Sequence, residues 1–345
     1  MKVLHVTHPS MERHRTPPGH PERPARLHAV WKAFESLGLA EVSTVEAPAV
    51  ADDLLEVVHR RAYIAHVDGL AAAGGGWLDA DTAVGGNSAL AARHAAGAAQ
   101  RAAEALCAGE APRAFVVVRP PGHHALPDRG MGFCLFNNAA VAAAAARRAG
   151  KARVMIVDWD VHHGNGTQAV FVRDPSVLFV SLHQEYWYPG TGAVEEVGEG
   201  PGEGFTVNVP LPAHTGDGGY EDAFTEIVLP LAHAWRPELL VVSAGYDAHY
   251  ADPLGGMVVT ARGFGRLAGL LDEAARALDA PLLAVLEGGY DLEALAGSAA
   301  VTLEVLAGRG AGSVPAESPP PEAPPAAIRP RLREARRVLL QHWRL

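Results

Sequence analysis

The chain has only two cysteines, Cys107 and Cys134, among its 345 residues. Two cysteines cannot form the multiple-bridge framework of a small secreted disulfide scaffold, and such scarcity is typical of proteins in a reducing compartment. No nearby pattern supplies a dedicated base for Cys134, so we expect it to be a buried apolar side chain rather than a nucleophile.

Long apolar runs and net positive charge are also missing. The apolar stretch at 139–146 is too short to cross a bilayer, and the N-terminus lacks the long apolar core of a signal peptide. Lys and Arg number 29 against 39 Asp and Glu, which gives a formal net charge of −10 and disfavours binding to the phosphate backbone of nucleic acids. We therefore expect a cytoplasmic protein that binds neither membranes nor nucleic acids directly.

Short runs of Val, Leu and Ile recur along the chain and alternate with helical stretches. Runs of this length predict strands buried on both faces, as in a parallel sheet. The expected strands lie near residues 2–6, 114–118, 153–157, 177–181, 205–209, 239–243 and 282–286. The expected helices, several rich in the strong helix former Ala, lie near 24–37, 53–67, 88–107, 138–149, 220–234, 261–279 and 291–307. This alternation predicts an α/β fold with a single domain over residues 1–311.

The composition changes in the last part of the chain. Residues 312–330 form a Pro-rich segment, with Ser-Pro-Pro-Pro-Glu-Ala-Pro-Pro at 318–325, which disfavours a helix or a central strand. Residues 331–345 predict a basic helix that packs back on the domain, and an interaction tail is the alternative.

Four of the apolar runs end directly in reactive side chains. The run at 154–157 continues into Asp-Trp-Asp-Val-His-His-Gly-Asn-Gly at 158–166. The other three end in Arg-Pro-Pro-Gly-His-His (119–124), Gly-Tyr-Asp (245–247) and Glu-Gly-Gly-Tyr (287–290). Ligands of open parallel sheets bind outside the carboxyl ends of the strands. We therefore expect the four segments to meet in one crevice.

Three side chains of these segments form a candidate zinc site. Because side chains alternate along an extended chain, Asp160 and His162 share one face. Asp247 is the best third ligand, since a turn just past its own strand exposes it. A catalytic zinc takes three protein ligands at about 2.0–2.2 Å and keeps one position open. Such an ion polarises a carbonyl group and acidifies water.

His123 and His124 are adjacent and follow a Pro-Pro-Gly turn that fixes the backbone. They are candidates either for further metal ligands or for a general acid and base. Hydrolysis at one zinc favours the second role, because the attacking water and the leaving amine both need proton transfer near neutral pH. Asp158 and Asn165 are the candidates to orient the two imidazoles, and the Tyr290 hydroxyl is placed to stabilise a developing oxyanion.

Together these residues resemble the histone deacetylase family, which is part of the arginase/deacetylase superfamily. Within that family they resemble a bacterial class II-like member. The resemblance covers about residues 3–308 and is carried, in order, by His20-Pro-Glu-Arg-Pro24, Pro121-Gly-His-His124, Gly132-Phe133-Cys134, Asp158–Gly166, Ser181-Leu-His183, Gly245-Tyr-Asp247, Asp252-Pro253 and Glu287-Gly-Gly-Tyr290. It implies a three-layer α/β/α fold around a central, mainly parallel sheet of about eight strands. It also implies a zinc-dependent deacetylase that removes acetyl or other acyl groups from Nε-acyl-lysine in proteins or peptides.

The resemblance also implies roles for the site residues. Zinc would be bound by Asp160, His162 and Asp247. His124 would be the general base and acid, His123 an electrostatic partner held by Asp158, and Tyr290 the hydroxyl that polarises the substrate carbonyl. Asn165 stands where some members have an aspartate, as is usual in the class II branch. An uncharged partner stabilises imidazolium less, which should keep His124 neutral and able to act as a base.

Further binding sites follow from the same resemblance. A potassium ion would be bound close to the zinc by Asp158, Asp160, His162, Ser181 and Leu182. A second monovalent ion would lie near Phe171, Asp174, Val177 and Phe205. The tunnel for the acyl-lysine stem would be formed by Gly132, Phe133 and Tyr188, with Leu254 at its mouth. Arg23 matches a buried arginine behind the active site, and either Asp79 or Asp81 would bind the substrate backbone.

Three other functions compete with this interpretation. A binuclear manganese ureohydrolase would need further acids two residues after His162 and Asp247, where this chain has Gly164 and His249. A deacetylase of acetylpolyamines or other small N-acetyl amines needs an acidic group at the mouth for the distal ammonium, and Leu254 favours acyl-lysine instead. A non-catalytic zinc-containing sensor is disfavoured because the tyrosine and both histidines are present. The sequence is compatible with a homo-oligomer.

Overall fold

The computed structural model describes residues 1–310 and 316–345, so the predicted boundary at 311/312 lies outside the described residues. Its strands are β1 (Val3–Thr7), β2 (Val42–Glu46), β3 (Gly75–Trp77), β4 (Ala83–Gly85), β5 (Arg113–Val116), β6 (Val154–Asp158), β7 (Val177–Gln184), β8 (Thr206–Leu211), β9 (Leu239–Ala244) and β10 (Leu282–Leu286). Its α-helices are α1 (Ala25–Leu37), α2 (Asp52–Val58), α3 (Arg61–Ala72), α4 (Ser88–Cys107), α5 (Asn138–Arg148), α6 (Asn165–Phe171), α7 (Asp217–Ala223), α8 (Leu229–Trp235), α9 (Ala261–Ala277), α10 (Leu292–Leu306) and α11 (Pro325–Leu339). A π-helical turn at Phe224–Val228 joins α7 to α8.

Eight strands form one sheet in the order β2-β1-β5-β10-β9-β6-β7-β8, and each neighbouring pair is parallel. Parallel neighbours need crossover connections, and these are made largely by helices. Helices α4 and α5 pack together on one side of the sheet, while α1, α9 and α10 pack together on the other. The three-layer α/β/α fold with a sheet of about eight strands is therefore confirmed.

The order of the strands explains why one crevice forms. Strands β5, β10, β9 and β6 are consecutive in the centre of the sheet, and they are the four runs that end in reactive side chains. All of their residues are buried. Their carboxyl ends consequently bring segments 119–124, 287–290, 245–247 and 158–166 to one edge.

The structure differs from the sequence prediction at several elements, and α6 and the short strands β3 and β4 were not predicted. Strand β2 was not predicted, because it is an edge strand of half-exposed and exposed residues rather than an apolar run. The helix expected near 53–67 is divided between α2 and α3 at His59, which is extended and bonds through its ring to the Leu126 carbonyl and the Asn137 N–H. The last helix begins at Pro325 rather than at 331, since Pro is tolerated in the first turn of a helix.

Two further observations concern predictions made above. Cys134 is completely buried, as expected. Among residues 1–310 and 316–345, the helices are all too short or too polar to cross a membrane.

Candidate active site

Asp160, His162 and Asp247 come together just beyond the ends of β6 and β9, with ligand atoms that all lie within 4.8 Å of one another. His162 Nδ1 lies 3.0 Å from Asp160 Oδ1 and 3.2 Å from Asp247 Oδ2. Around a tetrahedral zinc with ligands at about 2.0–2.1 Å, two ligand atoms are about 3.3 Å apart. Asp247 Oδ2 is buried and accepts no hydrogen bond from the described residues. The three side chains therefore fit a zinc ion.

Backbone amides fix the two carboxylates in this position. Asp160 Oδ2 accepts the Gly288 N–H at 2.9 Å, and Asp247 Oδ1 accepts the Val161 N–H at 2.9 Å. A Cβ at Gly245 or Gly288 would overlap the Asp160 carboxylate. The glycines of the Gly-Tyr-Asp and Glu-Gly-Gly-Tyr segments thus make the space into which the acids fit.

The two histidines after β5 lie against this cluster, and each is bonded to a polar side chain. His123 Nδ1 is 3.0 Å from Asp158 Oδ2, and His124 Nδ1 is 2.8 Å from Asn165 Oδ1. The Asn165 amide nitrogen faces the Met131 sulfur, so its oxygen faces His124 and accepts the Nδ1 proton. The Nε2 atom of neutral His124 is therefore the unprotonated one.

The surroundings shift the pKa values of His123 and His124 in opposite directions. Burial would lower the pKa of His123, but the carboxylates of Asp160 and Asp158 outweigh it and hold that pKa well above its usual range. Burial, followed by the charges of His123 and His162, holds the pKa of His124 well below its usual range. The surroundings thus favour the protonated form of His123 and the neutral form of His124, whose ring centroid lies 4.0 Å away.

Tyr290 is held by contacts with Asp252, Phe133 and Arg26. Its N–H donates to Asp252 Oδ2 at 2.5 Å, its ring packs edge-on against Phe133 at 5.7 Å, and the Arg26 guanidinium lies 4.8 Å from its ring centroid. Burial raises the pKa of Tyr290 well above its usual range. The hydroxyl therefore keeps its proton and can donate it in a hydrogen bond.

The buried arginine behind the site is Arg26, and the prediction of Arg23 is wrong. Arg23 is exposed, because it precedes the first turn of α1. Arg26 is fully buried and donates to the carbonyls of Glu287 and Gly289 at 2.5 and 2.6 Å. The signal was present in the sequence: on a helix that begins after Pro24, position 26 shares the buried face with Val30 and Phe34.

Two of the residues predicted for the tunnel, Gly132 and Tyr188, lie against His124. The Tyr188 ring lies edge-on to His124 with centroids 5.1 Å apart, and a Cβ at Gly132 would overlap the His124 ring. Phe133 follows with a left-handed φ of 67°. Leu254 lies on the facing loop, where its carbonyl accepts the Trp187 indole N–H at 2.9 Å. Tyr188 and Gly132 thus pack against His124, and Leu254 is bonded to Trp187, the residue before Tyr188.

The acids at 79 and 81 differ in what they bind. Asp79 Oδ1 accepts the N–H groups of Asp81 and Thr82 at 3.1 and 2.7 Å and so closes a turn. Thr82 Oγ1 in turn accepts the Phe133 N–H at 3.0 Å. Asp81 makes a weaker contact of 3.4 Å with the Thr82 hydroxyl. The carboxylate of Asp81 can therefore accept more additional hydrogen bonds than that of Asp79.

The positions predicted for potassium lie directly beneath the metal cluster. Asp158 and Ser181 are neighbours in register on β6 and β7, and Leu182 follows on β7. Asp158, Ser181 and Leu182 are completely buried. Asp158 Oδ1 accepts the Asp160 N–H at 3.1 Å, so the two predicted ion sites share one backbone turn.

Glu287 belongs to a predicted motif but had no predicted role. Its Oε2 accepts the N–H groups of Gly122 and His123 at 2.6 and 3.1 Å, while its Oε1 is buried without a hydrogen bond from the described chain. Burial raises the pKa of this carboxyl to about 7. Glu287 therefore fixes the Pro-Pro-Gly turn that presents both histidines, a contact between distant segments that no local pattern indicates.

Known proteins are similar to this chain in sequence and in fold. The histone deacetylase domain matches residues 20–306. Histone deacetylase 15 of Arabidopsis thaliana is 42% identical over 295 residues, which cover 84% of this chain and 53% of that protein. A histone deacetylase-like amidohydrolase of Pseudomonas aeruginosa is 43% identical over 276 residues, 79% of this chain and 73% of that protein. The crystal structure of the HDA15 HD domain superposes with a TM-score of 0.91 at 37% identity and covers 99% of this chain and 95% of that one.

The chain spans about half the length of the Arabidopsis relative, and the match lies in the shared domain. The parallel sheet with its converging strand ends and the match over residues 20–306 indicate the same family. The chain belongs to the histone deacetylase family, whose domain spans its residues 20–306.

Proposed function

We propose that this protein is a zinc-dependent deacetylase that removes acetyl or other acyl groups from Nε-acyl-lysine in proteins or peptides. One observation supports this above all others. A buried group of two carboxylates and one imidazole that fits zinc lies beside a neutral imidazole, with the ring centroids of His162 and His124 5.8 Å apart. This combination is what hydrolysis at a single metal requires.

Asp160, His162 and Asp247 would hold the metal. A zinc ion bound there would polarise the acyl carbonyl and lower the pKa of water. The side-chain set of two carboxylates and one imidazole suits zinc, and the same ligands would also accept iron. A potassium ion bound by Asp158, Asp160, His162, Ser181 and Leu182 belongs to this proposal as well, as does a second monovalent site near Phe171, Asp174, Val177 and Phe205.

The protein's own groups then carry the protons. His124 Nε2 is unprotonated and takes a proton from the attacking water. The positive charge on His123, balanced by Asp158, keeps His124 neutral until that transfer. The Tyr290 hydroxyl donates a hydrogen bond to the oxygen on which negative charge develops. His124 finally returns its proton to the departing lysine amine, so the acyl carbon leaves as a carboxylic acid and the amine leaves neutral.

The aromatic and small residues beside His124 suit the apolar stem of an acyl-lysine side chain. Gly132, Phe133 and Tyr188 would contact the methylene groups of the acyl-lysine stem, and Leu254 would contact the substrate at the mouth. Asp81 would accept N–H groups of the peptide backbone, since Asp79 is used to close its own turn. A cytoplasmic location and the absence of direct nucleic-acid binding remain part of this proposal.

Acetylpolyamines are the second candidate substrate class, because two acids lie near the opening. The carboxylates of Asp79 and Asp81 help to raise the pKa of Tyr188, after burial, so both lie close enough to act on an ammonium group. Leu254, on the facing loop, is aliphatic and provides no charge that could bind the ammonium group of a polyamine.

Initial rates of acetate release from an acetyl-lysine peptide and from N-acetylated polyamines test the proposal. We expect kcat/KM for the peptide to be at least about tenfold higher, equivalent to about 1.4 kcal/mol of transition-state binding. Removal of the metal with a chelator should abolish release, and zinc should restore it. Preference for the polyamine would support the second candidate, and zinc binding without release from either substrate would indicate a non-catalytic zinc protein.

A further inference from the structure

One loop connects several parts of the candidate site. We call residues 245–260 the metal loop, because it carries Asp247. Within it, Asp252 Oδ2 accepts the N–H groups of Tyr290 and Asp291 at 2.5 and 3.1 Å, and the Leu254 carbonyl accepts the Trp187 indole N–H. A shift of the metal loop would therefore move a metal ligand, the catalytic tyrosine and the mouth together.

The metal loop is bonded to Gln184, to residues 214–217 and, from the C-terminal segment, to one carboxylate. Glu317 Oε1 lies 2.8 Å from His249 Nε2, and Glu317 Oε2 accepts the Ala261 N–H at 2.8 Å. His249 is buried, and its Nδ1 accepts the Ala251 N–H at 3.2 Å. Since Nδ1 accepts, the proton of the neutral ring is on Nε2 and is donated to Glu317. Glu317 thus binds His249 within the metal loop and Ala261, the residue that follows the loop.

The segment that carries Glu317 is anchored independently of this contact. We call residues 316–345 the strap. Its helix α11 buries Ile328, Leu332, Ala335 and Leu339, and its Trp343 donates to the Gly204 carbonyl at 2.7 Å. The strap is therefore a fixed support from which Glu317 reaches the metal loop.

We infer that Glu317 is a positioning residue of the metal site, acting through His249 on the loop that holds Asp247. The inference rests on the proposed zinc chemistry. His249 stands two residues after Asp247, where a binuclear enzyme would need a further acid. Both of its ring nitrogens are used, one by Glu317 and one by Ala251, so in this chain the position supports the first metal rather than binding a second. Glu317 also lies beyond residues 20–306, the part that matches the family domain.

Zinc affinity of the metal-free protein, measured by competition with a chelator, tests the inference without relying on turnover. Partners that orient metal ligands typically change metal affinity by about 10–100-fold. Glu317 acts one residue further away, so we expect Glu317→Ala to weaken zinc binding by about tenfold and to lower kcat/KM. Glu317→Gln retains one accepting oxygen and should show a smaller change in both quantities.

Glu322→Ala is the matched control on the same strap. Glu322 Oε1 accepts the Gly218 N–H at 3.1 Å and does not bind the metal loop, so its removal should leave zinc affinity within about twofold. Unchanged zinc affinity in Glu317→Ala, or an equal loss in Glu322→Ala, would overturn the inference. Failure of the wild-type protein to release acetate would contradict the proposed function instead, while the comparison of zinc affinities would still decide the role of Glu317.

Discussion

Replacing Tyr290 by Phe should lower kcat by roughly 10²–10³-fold, the usual loss for one oxyanion donor. The substitution removes only the hydroxyl. The ring contacts with Phe133 and Arg26 and the backbone bond to Asp252 remain, so we expect the fold, the zinc content and KM to be preserved. Turnover of an acetyl-lysine peptide by the variant, with zinc content measured on the same sample, checks this prediction.

A substitution on the same ring stack separates the hydroxyl from the packing. Phe133→Leu keeps the Tyr290 hydroxyl but removes the edge-on ring contact, and we expect it to affect KM more than kcat because Phe133 is proposed to contact the substrate stem. If Tyr290→Phe retained wild-type turnover, the assignment of Tyr290 as the oxyanion donor would be wrong.

Replacing Glu22 by Gln should destabilise the protein by about 3–5 kcal/mol, the usual cost of breaking one partner of a buried ion pair. Glu22 is completely buried and binds the Arg119 guanidinium at 2.5 and 2.7 Å. It also lies 3.4 Å from Arg26 Nη1 and from His14 Nε2. Without its charge, two buried guanidinium groups lose their shared carboxylate. Denaturant unfolding of both proteins at pH 7 measures the difference.

The pH dependence of stability provides a second measure of the same cluster. Burial would raise the pKa of Glu22, but the charge of Arg119 outweighs it and holds the pKa well below its usual range. A depressed native pKa contributes stability above the unfolded value near 4.5 that is lost as the pH falls below it. The wild type should therefore lose more stability than Glu22→Gln on going from pH 7 to pH 3.

An exposed ion pair offers the control for this prediction. Glu56 binds Arg61 at 2.8 Å, and the Arg61 side chain is 82% exposed. Glu56→Gln should cost no more than about 1 kcal/mol. Equal costs for Glu22→Gln and Glu56→Gln would show that the buried cluster does not contribute as described.

The fold could be predicted from the sequence because the apolar runs of the buried strands are local patterns, and the ends of two such runs marked where the metal cluster lies. Beyond the end of β6 a bend, rather than strand alternation, brings Asp160 and His162 together, and the His162 N–H donates to Asp160 Oδ1. Strand β2 has no such run, since only one of its edges pairs within the sheet, and its side chains are not fully buried. Prediction from apolar runs therefore fails where burial is partial.

Supporting residues were harder to find, because their contacts join distant parts of the chain. Glu287 reaches Gly122 across 165 residues, and Glu317 reaches His249 across 68. Each satisfies a backbone or ring N–H whose position depends on the complete fold, so no spacing in the sequence indicates it. Arg26 is different, because its burial follows from the face of α1 on which it lies. The prediction of Arg23 was wrong because it took the arginine from the motif without considering which position lies on the buried face of the helix.

The central claim is that one metal ion, held by Asp160, His162 and Asp247, supports amide hydrolysis. Titration of the metal-free protein with zinc, followed by acetate release from an acetyl-lysine peptide, tests it most directly. The rate should rise linearly to one equivalent of zinc per chain and then stay constant. No release at any zinc concentration, or a requirement for two equivalents or for manganese, would contradict the claim.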